Sequence, residues 1–592
     1  MIAFLRWMRG IALGTLNGVA RLVLFFVLLA AVLFVVGLME GDGLPSRMVL
    51  NLDLRTSPPD SSNTTSLVFE RRTPPVMDTV LALDRAGRDS RVKGVFLQVG
   101  SAGLSVAQAE EIGAALIRFR ATGRFAIAYA QGFESPGLGD YLTATSADQI
   151  WMEPRSPFSA AGSGAGGIFL RGLFDKIQAV PQIVKRADYK SAADMYMQKS
   201  RTEPDREQTT AFLQSAYNSA VTAVARQRHL DAKAVIASFE ASPQFAEDAK
   251  ARRLIDRLGY DDQAKDAART RAGNAKLVPI GEYARATENE GAIGGGPHVA
   301  LIEAAGDIVD GTAGHGAFGS SAEIASDDYA EAFRRATRDR SIKAILFRID
   351  SPGGSVTASD QILEAVKEAK AAGKPVIVSM GPLAASGGYY VSCAADRIVA
   401  EPATLTGSIG VLTGKVAIGK SLAMVGVGAD EIGIGKNALF DSGIQPFTPE
   451  QLANLNGQAD AIYADFKQKV AAGRKLTVAQ VETIAKGRVW TGADAQPRGL
   501  VDELGTFWTA VGEVKKSVGV SPDVRLVFKR YPEREGFFEA IVDLLSGTQA
   551  GVKAIEGMSA VMQVPAARAF LAAIQDTPQG GVELKATNLP AQ

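Results

Sequence analysis

The chain contains DSRVKGVFLQVGSAGLSVAQAEEI at residues 89–112 and, 250 residues later, the related stretch DRSIKAILFRIDSPGGSVTASDQI at residues 339–362. The identical pairs at this offset are Asp89/Asp339, Lys93/Lys343, Ser101/Ser351, Gly103/Gly353, Ser105/Ser355, Val106/Val356 and Ile112/Ile362. Further along the chain the offset becomes 248, where Asp148 matches Asp396 and Glu153-Pro154 matches Glu401-Pro402. A repeat of this length indicates the duplication of a whole domain, because solenoid repeats are only about 20–50 residues long.

Both copies alternate short apolar stretches typical of strands with stretches of helical periodicity. In the second copy we predict strands at 342–349, 375–380 and 397–400, helices at 356–372 and 386–395, and a Pro-Gly-Gly turn at 352–354. In the first copy we predict strands at 92–99 and 125–131 and a helix at 138–147. Strands separated by helices are typical of βαβ units and a mostly parallel sheet. We therefore expect an α/β protein with two tandem βαβ domains.

The repeat divides the chain into five segments. We predict an N-terminal segment at 1–45, a first repeat domain at 46–285, a linker at 286–297, a second repeat domain at 298–535 and a C-terminal extension at 536–592. The linker, ATENEGAIGGGP, is polar and rich in glycine. The extension has apolar residues at partly helical spacing, among them Ile541, Leu544 and Leu545, and we expect it to pack on the core rather than to lie on a membrane.

The N-terminal segment contains an uncharged apolar stretch, LVLFFVLLAAVLFVVGLM, at residues 22–39. As a helix it would be roughly 27 Å long, which is enough to cross a bilayer core. Arg6, Arg9 and Arg21 precede it, and the positive-inside rule then places the N-terminus in the cytoplasm and the rest of the chain outside. A cleaved signal peptide is the alternative, although such peptides have shorter apolar regions and a small-residue cleavage site, which is not evident here.

Composition excludes several classes of function. The formal net charge is zero, which does not favour binding of nucleic acid, because that requires a concentrated basic surface. The single cysteine, Cys393, excludes an internal disulfide. With one cysteine and the three scattered histidines His229, His298 and His315, we predict no metal site and no cofactor.

Two predicted strand-to-helix junctions of the second copy have residues suited to catalysis. They are DSPGGS at 350–355 and AASGGYY at 384–390, and active sites of parallel sheets lie at such junctions. Ser386 would present its hydroxyl at the start of a helix, and the amides of Gly353, Gly354 and Gly387 could hold an oxyanion. The alternative for each motif is a serine helix cap beside an ordinary glycine turn.

Together, DSPGGSV at 350–356, AASGGYY at 384–390 and TGSIG at 406–410 resemble the signal peptide peptidase A family in its long, duplicated form. That family shares the fold of Clp protease and of the crotonases. The resemblance covers nearly the whole chain and implies that Ser386 is the nucleophile. It also implies a lysine base at Lys190, in the motif Tyr189-Lys190-Ser191-Ala192, and Ser408 as the residue that orients the lysine. In the first copy, Leu138 stands where the second has Ser386.

A lysine base must be neutral, so we expect burial between the two copies, with help from Lys185 and Arg186, to lower the pKa of Lys190. The rival is Lys436, in Gly435-Lys436-Asn437-Ala438, which lies at nearly the equivalent position of the second copy. The context of Lys190 is the better match, and we favour it. None of the three histidines has a context that supports a catalytic role.

The resemblance implies a membrane-anchored serine endopeptidase with a Ser/Lys dyad that degrades remnant signal peptides or other membrane-associated peptides. It also implies a homotetramer and a catalytic part on the periplasmic side of a bacterial-type inner membrane, anchored through residues 22–39. Two alternatives remain open. One is a catalytically inactive membrane scaffold, and the other is a crotonase-like enzyme acting on acyl-CoA.

Overall fold

The computed structural model describes residues 43–61, 74–134, 137–288, 295–312, 323–532 and 583–585 of the 592-residue chain. The apolar stretch at 22–39, His315, part of the linker and nearly all of the C-terminal extension lie outside the described residues. Within the ranges given, no helix combines the length and the hydropathy that are needed to cross a bilayer.

The first copy comprises nine strands and ten helices among the described residues. In chain order they are β1 (Met48–Asp53), α1 (Val76–Ala86), β2 (Val92–Val99), α2 (Val106–Arg120), β3 (Phe125–Ala130), α3 (Leu138–Thr145), β4 (Gln149–Met152), β5 (Pro157–Phe158), α4 (Arg171–Lys176), β6 (Val180–Arg186), α5 (Asp194–Met197), α6 (Glu203–Arg228), α7 (Ala232–Glu240), β7 (Gln244–Phe245), α8 (Ala246–Ala251), β8 (Arg257–Leu258), α9 (Asp261–Arg271), β9 (Lys276–Pro279) and α10 (Ile280–Ala286).

The second copy follows the same plan. Its elements are β10 (His298–Ala305), β11 (Asp307–Val309), β12 (Glu323–Ala325), α11 (Ser326–Arg338), β13 (Ile342–Ser351), β14 (Gly353–Ser355), α12 (Val356–Ala371), β15 (Val376–Ala385), α13 (Gly387–Ser392), β16 (Arg397–Ala400), β17 (Leu405–Gly407), β18 (Val411–Ala417), α14 (Gly419–Met424), α15 (Pro449–Arg474), α16 (Val478–Ile484), β19 (Val489–Thr491), α17 (Gly492–Ala495), a 3₁₀ turn (Gln496–Arg498), β20 (Glu503–Leu504), α18 (Phe507–Ser517), β21 (Val527–Tyr531) and β22 (Glu583–Lys585).

Each copy is built on a parallel sheet, as the alternation of strands and helices predicts. The first sheet has the strand order β8-β4-β3-β2-β1-β9, and all its neighbours are parallel. The second sheet runs β19-β17-β15-β13-β10-β21, with β16 paired to β15 and β20 paired to β16, and only the β17–β19 pair is antiparallel. Such sheets are buried on both faces, which explains the apolar character of strands such as β3 and β15.

Equivalent residues begin equivalent helices in the two copies. Ser105 precedes α2, and its Oγ accepts a hydrogen bond from the Gln108 amide at 3.1 Å. Ser355 precedes α12 and accepts from the Ala358 amide at 3.3 Å. A serine at this position satisfies an amide that has no partner within the helix, so both copies keep the helix start at the same offset.

A third sheet joins the copies. Its order is β12-β11-β14-β22-β18-β6, and β6 of the first copy pairs antiparallel with β18 of the second over seven residues, from Val411 opposite Arg186 to Ala417 opposite Val180. Main-chain hydrogen bonds along this pair fix the position of the chain just before Lys190.

The copies also share a hydrophobic core and a buried ion network. One apolar cluster includes Ile112 of α2 together with Leu346 of β13 and Ile377 of β15. Arg348 of β13 is fully buried and forms ion pairs with three carboxylates, those of Asp60 (2.7 Å), Glu111 (2.9 Å) and Glu401 (3.5 Å). Because Asp60 and Glu111 belong to the first copy, breaking this network would leave buried charges unpaired at the junction of the copies.

The predicted elements are confirmed with shifts of a few residues at their ends. The strand predicted at 92–99 is β2, the strand at 342–349 is β13, and the helix at 356–372 is α12. The predicted turn at 352–354 is wrong in part. Gly353–Ser355 forms the short strand β14, because the segment pairs with β11 on one side and β22 on the other.

Candidate active site

Ser386 lies where β15 ends and α13 begins. Its backbone has φ 55° and ψ −114°, a conformation that is costly for a residue other than glycine. The Ser386 amide donates to the carbonyl of Gly407 at 2.9 Å, and the Tyr390 amide donates to the carbonyl of Ser386 at 2.8 Å. These main-chain bonds hold the strained turn, and the Ser386 hydroxyl makes no capping hydrogen bond to the helix.

Lys190 follows β6 of the first copy and reaches across the junction to Ser386. Its Nζ is 2.7 Å from Ser386 Oγ, 3.0 Å from Ser408 Oγ and 3.1 Å from the Ser408 carbonyl oxygen. All three side chains are fully buried. The amine, two hydroxyls and one carbonyl therefore form a polar cluster that is shielded from solvent.

The Lys190 backbone is fixed by the second copy. The Tyr189 amide donates to the carbonyl of Lys486 at 3.1 Å. A Cβ atom at Gly487 would lie 2.6 Å from the Lys190 amide nitrogen, so only glycine permits this approach, and the φ of Gly487 is 73°. Residues 486–487 thus contact the backbone around Lys190 and fix its position.

Gln208 of α6 connects the lysine segment to the second copy. Its Nε2 donates to the Tyr189 carbonyl at 2.9 Å and to Ser191 Oγ at 3.0 Å, while its Oε1 accepts from the Val489 amide at 3.2 Å. The side chain is buried, so these bonds hold the residues on both sides of Lys190. The sequence alone does not reveal this residue, because a glutamine inside a long polar helix has no distinguishing local signal.

Burial lowers the pKa of Lys190 well below its ordinary value. The prediction that neighbouring cations also lower this pKa is wrong, because Lys185 and Arg186 form ion pairs with carboxylates. Lys185 Nζ pairs with Asp194 Oδ1 at 2.7 Å, and Arg186 Nε pairs with Asp460 Oδ1 at 2.6 Å. Desolvation alone favours the neutral amine, which is the form able to accept a proton.

The rival lysine lies in a different environment. Lys436 is 70% exposed, and its Nζ pairs with Glu450 Oε1 at 2.6 Å. Ser386, in contrast, is completely buried. The structure therefore brings Lys190 rather than Lys436 to the serine.

Three glycines meet beside Ser386. A Cβ atom at Gly387 would lie 2.8 Å from Ser359 Oγ, 3.0 Å from the Cα of Gly353 and 3.1 Å from the amide nitrogen of Gly354, so a larger residue at 387 would force its neighbours to shift. The Gly353 amide donates to Ser351 Oγ at 3.1 Å. The structure thus brings together the three residues predicted to hold an oxyanion, with one of their amides bound to a serine hydroxyl.

An extended segment runs through the cleft next to these glycines. In β22, Lys585 and Leu584 pair antiparallel with Gly353 and Gly354, and Glu583 pairs with Leu412 of β18. The cleft between β14 and β18 therefore accepts a peptide backbone in strand conformation.

The histidines lie elsewhere. His229 ends α6 in a left-handed conformation, and His298 begins β10. In the described part of the chain, no group of three or more His, Cys, Asp or Glu side chains is arranged to hold a metal ion.

Serine peptidases are the class that this fold, with a serine next to a buried lysine, indicates. The family model described as "Peptidase family S49" matches residues 119–275 and 368–521, one stretch in each copy, and the model described as "Clp protease" matches residues 326–404. The chain belongs to peptidase family S49, in a duplicated form, and is a serine peptidase.

Relatives cover most of the chain. It is 31% identical to the chloroplastic serine protease SPPA of Arabidopsis thaliana over 481 residues, which is 80% of this chain and 69% of the relative. It is 30% identical to Protease 4 of Salmonella typhi, over 87% of this chain and 82% of the relative. It is also 30% identical to Protease 4 of Haemophilus influenzae, over 75% of this chain and 73% of the relative. The resemblance stated from the motifs is confirmed, and membership in this family disfavours the acyl-CoA alternative.

Proposed function

We propose that the chain is a membrane-anchored endopeptidase in which Ser386 is the nucleophile and Lys190 the general base. The observation that carries the proposal is the 2.7 Å hydrogen bond between Lys190 Nζ and Ser386 Oγ, both fully buried. A serine hydroxyl needs an adjacent base to attack a carbonyl, and a lysine kept neutral by burial is such a base. Ser408 Oγ, 3.0 Å from Nζ, orients the amine.

Acylation follows from these positions. Neutral Lys190 takes the proton of Ser386 Oγ as the oxygen bonds to the carbonyl carbon of the scissile peptide. The amides of Gly387 and of Gly353 or Gly354 stabilise the oxyanion, and a donor at such a position contributes about 3–4 kcal/mol. The Gly353 amide takes part only after it leaves Ser351 Oγ. The Lys190 ammonium then gives its proton to the leaving amine as the C–N bond breaks.

Deacylation uses the same base. Neutral Lys190 takes a proton from water, whose oxygen attacks the acyl-enzyme, and the ammonium returns a proton to Ser386 Oγ as the ester bond breaks. No further proton carrier is required.

Peptides bind in this proposal as an added strand. The position between β14 and β18 is held by β22 of the chain itself, and an extended peptide that replaces β22 would find the same main-chain hydrogen bonds there, with its side chains alternating toward and away from the enzyme. The family resemblance suggests remnant signal peptides with small or apolar residues near the cut. An enzyme anchored through residues 22–39 on the external face of a bacterial-type inner membrane would meet such peptides at the bilayer surface.

We also propose, on the same resemblance, that the protein is a homotetramer. We keep as a proposal the division of the chain into the five segments predicted from the sequence.

The test is labelling with a serine-directed fluorophosphonate. We expect labelling of the full chain, none of Ser386→Ala, and strongly reduced labelling of Lys190→Ala, with Lys436→Ala as the matched control that still reacts. A chain that binds peptides but never reacts with the probe would instead be a scaffold.

A further inference from the structure

Four arginines line one cavity at the junction of the two copies. The cavity has a volume of about 290 Å³, and its lining consists of Arg85, Arg88, Asp89, Arg91 and Arg525. The C-terminal end of α1 attracts cations, which accounts for Arg85 and Arg88. It does not account for Arg91, which precedes β2, or for Arg525, which comes from the second copy. Four positive charges against one negative charge in the lining are suited to an anionic ligand.

Within the described part of the chain, two of these arginines form no ion pair. Arg85 Nε donates to Thr287 Oγ1 at 3.0 Å and its Nη2 donates to the Ala284 carbonyl at 3.3 Å, so both acceptors are neutral. Arg525 is exposed and has no carboxylate partner among those residues. Burial lowers the pKa of Arg85, which means that nearby carboxylates do not offset its loss of hydration. An anion in the cavity would supply the missing negative charge.

The other two arginines are held in place by their neighbours. Arg88 pairs with Asp84 at 2.6 Å, and Arg91 pairs with Asp89 at 2.8 Å. Arg124 fixes the turn between them, because its guanidinium donates to three main-chain carbonyls of that turn at 2.6, 2.8 and 2.9 Å. A guanidinium has five N–H donors, so an arginine that is paired with one carboxylate can also bind a phosphate.

The cavity lies at the edge of the first sheet where the chain arrives from the predicted anchor. The Met48 amide, at the start of β1, donates to the carbonyl of Arg91 at 2.9 Å. Leu44 packs against the core, and it comes only five residues after Met39, the last residue of the apolar stretch. Five residues span at most about 18 Å, so the end of an anchor at 22–39 would lie close to this edge. The arginines would then be next to a bilayer surface, where anionic headgroups attract basic side chains.

We infer that this cavity binds the phosphodiester headgroup of an anionic phospholipid in the membrane that contains the anchor. The inference rests on the anchor of the proposed function. Arg85 and Arg525 supply the unpaired charges, and this second contact fixes how the peptidase is oriented on the bilayer. Arg525 precedes the amino end of β21, whereas Ser386 follows the carboxyl end of β15 in the same parallel sheet. Lipid binding at the cavity therefore does not touch the dyad.

Fluorescence quenching of the full chain in lipid nanodiscs tests the inference. A dye on Ser90→Cys, with Cys393→Ser as background, reports on the turn between Arg88 and Arg91, and the quencher is a lipid with a labelled headgroup. We expect quenching in discs that contain phosphatidylglycerol and little in discs of phosphatidylcholine alone. Equal quenching in both discs would overturn the inference. Inorganic phosphate at constant ionic strength should not reverse the quenching, and a reversal would assign the cavity to free phosphate instead.

Charge reversal tests the site itself. We expect Arg525→Glu to reduce the phosphatidylglycerol-dependent quenching at least about fivefold. The matched control is Arg206→Glu, which changes the charge equally at an exposed arginine of α6 and should leave the quenching unchanged. Equal reductions in both variants would indicate general attraction to the bilayer and would overturn the site. If Arg525→Glu folds poorly by circular dichroism, Arg525→Gln replaces it with the same expected direction.

Failure of this inference can be separated from failure of the proposed function. Fluorophosphonate labelling of Arg525→Glu and Arg206→Glu should equal that of the unmodified chain, because the cavity is remote from the dyad. Resistance to extraction from membranes by alkaline carbonate reports on the anchor alone. A chain that stays in the membrane and reacts with the probe but shows no quenching that depends on phosphatidylglycerol would overturn only the lipid site.

Discussion

The strand-to-helix junction that contains Ser386 in the second copy differs in sequence and in hydrogen bonding from the equivalent junction of the first copy. The second copy has Ser386 followed by Gly387 and Gly388, whereas the first has Leu138 followed by Gly139 and Asp140. The Gly353 amide of the second copy donates to Ser351 Oγ at 3.1 Å. Its counterpart Gly103 donates to Asp140 Oδ2 at 3.0 Å, and the amides of Leu104 and Ala102 lie beside the same buried carboxyl group.

The difference shows how a duplicated site is lost without loss of the fold. Buried amides must keep hydrogen-bond partners, and the first copy provides a permanent one from its own chain. In the second copy a Cβ atom at Gly388 would lie 2.8 Å from the Ser351 carbonyl oxygen, so no acidic side chain fits there. Asp140 therefore binds the amides of the first copy, while in the second copy the Gly353 amide is bound by the hydroxyl of Ser351 instead.

The largest effect separates the two lysines. Because Lys190 contacts Ser386 and Lys436 is bound to Glu450 at the surface, Lys190→Ala should lower kcat/KM by at least about 10³-fold and Lys436→Ala by far less. Steady-state hydrolysis of a fluorogenic peptide measures both, with circular dichroism as the check on folding. Equal losses in the two variants would contradict the division of roles between the copies.

The next largest effect is on the free energy of unfolding, and it distinguishes Arg348 from its counterpart in the first copy, Gln98. Gln98 Nε2 makes a single hydrogen bond with Asp261 Oδ1 at 3.1 Å, whereas Arg348 serves several buried carboxylates. Arg348→Gln should lower the free energy of unfolding by about 3–5 kcal/mol, because Asp60 and Glu111 would be left as unpaired buried charges. Gln98→Ala should cost about 1 kcal/mol. Denaturant unfolding measures both, and similar losses would show that the ion network does not hold the copies together.

A pH profile sharpens the assignment of Lys190. Burial lowers the pKa of Lys190 and only the neutral amine is active, so kcat/KM should rise about tenfold per pH unit below that pKa and then level off. The unfolded chain binds the extra proton up to a pKa of about 10.4, so stability should also rise with pH from the lowered pKa to that value. Lys190→Met should lose this rise in stability. A rate that still climbs at the ordinary pKa of lysine would refute a buried neutral base.

The smallest effect concerns Asp140. Asp140→Ala leaves the Gly103 amide buried without its acceptor and should cost about 1–3 kcal/mol of unfolding free energy. Asp140→Asn keeps an acceptor oxygen and should cost less. Thermal unfolding of both variants is the measurement, and an Ala variant as stable as the Asn variant would mean that the carboxylate does not serve these amides.

The sequence predicted the duplication, the parallel sheets and the residues that meet at the site, because each depends on local pattern or on recognisable motifs. It did not predict β14, since a Gly-Gly segment becomes a strand only when β11 and β22 lie beside it. It also missed Gln208, Gly487 and the partners of Arg348. These residues act through contacts between distant segments, and nothing in their sequence neighbourhoods marks them.

The contact between the Lys190 backbone and residues 486–487 has a consequence for synthesis of the protein. The ribosome synthesises Lys190 of the proposed dyad early and Ser386 late. It synthesises residues 486–487, which fix the Lys190 backbone, later still. A growing polypeptide would therefore remain inert until almost the whole second half has left the ribosome.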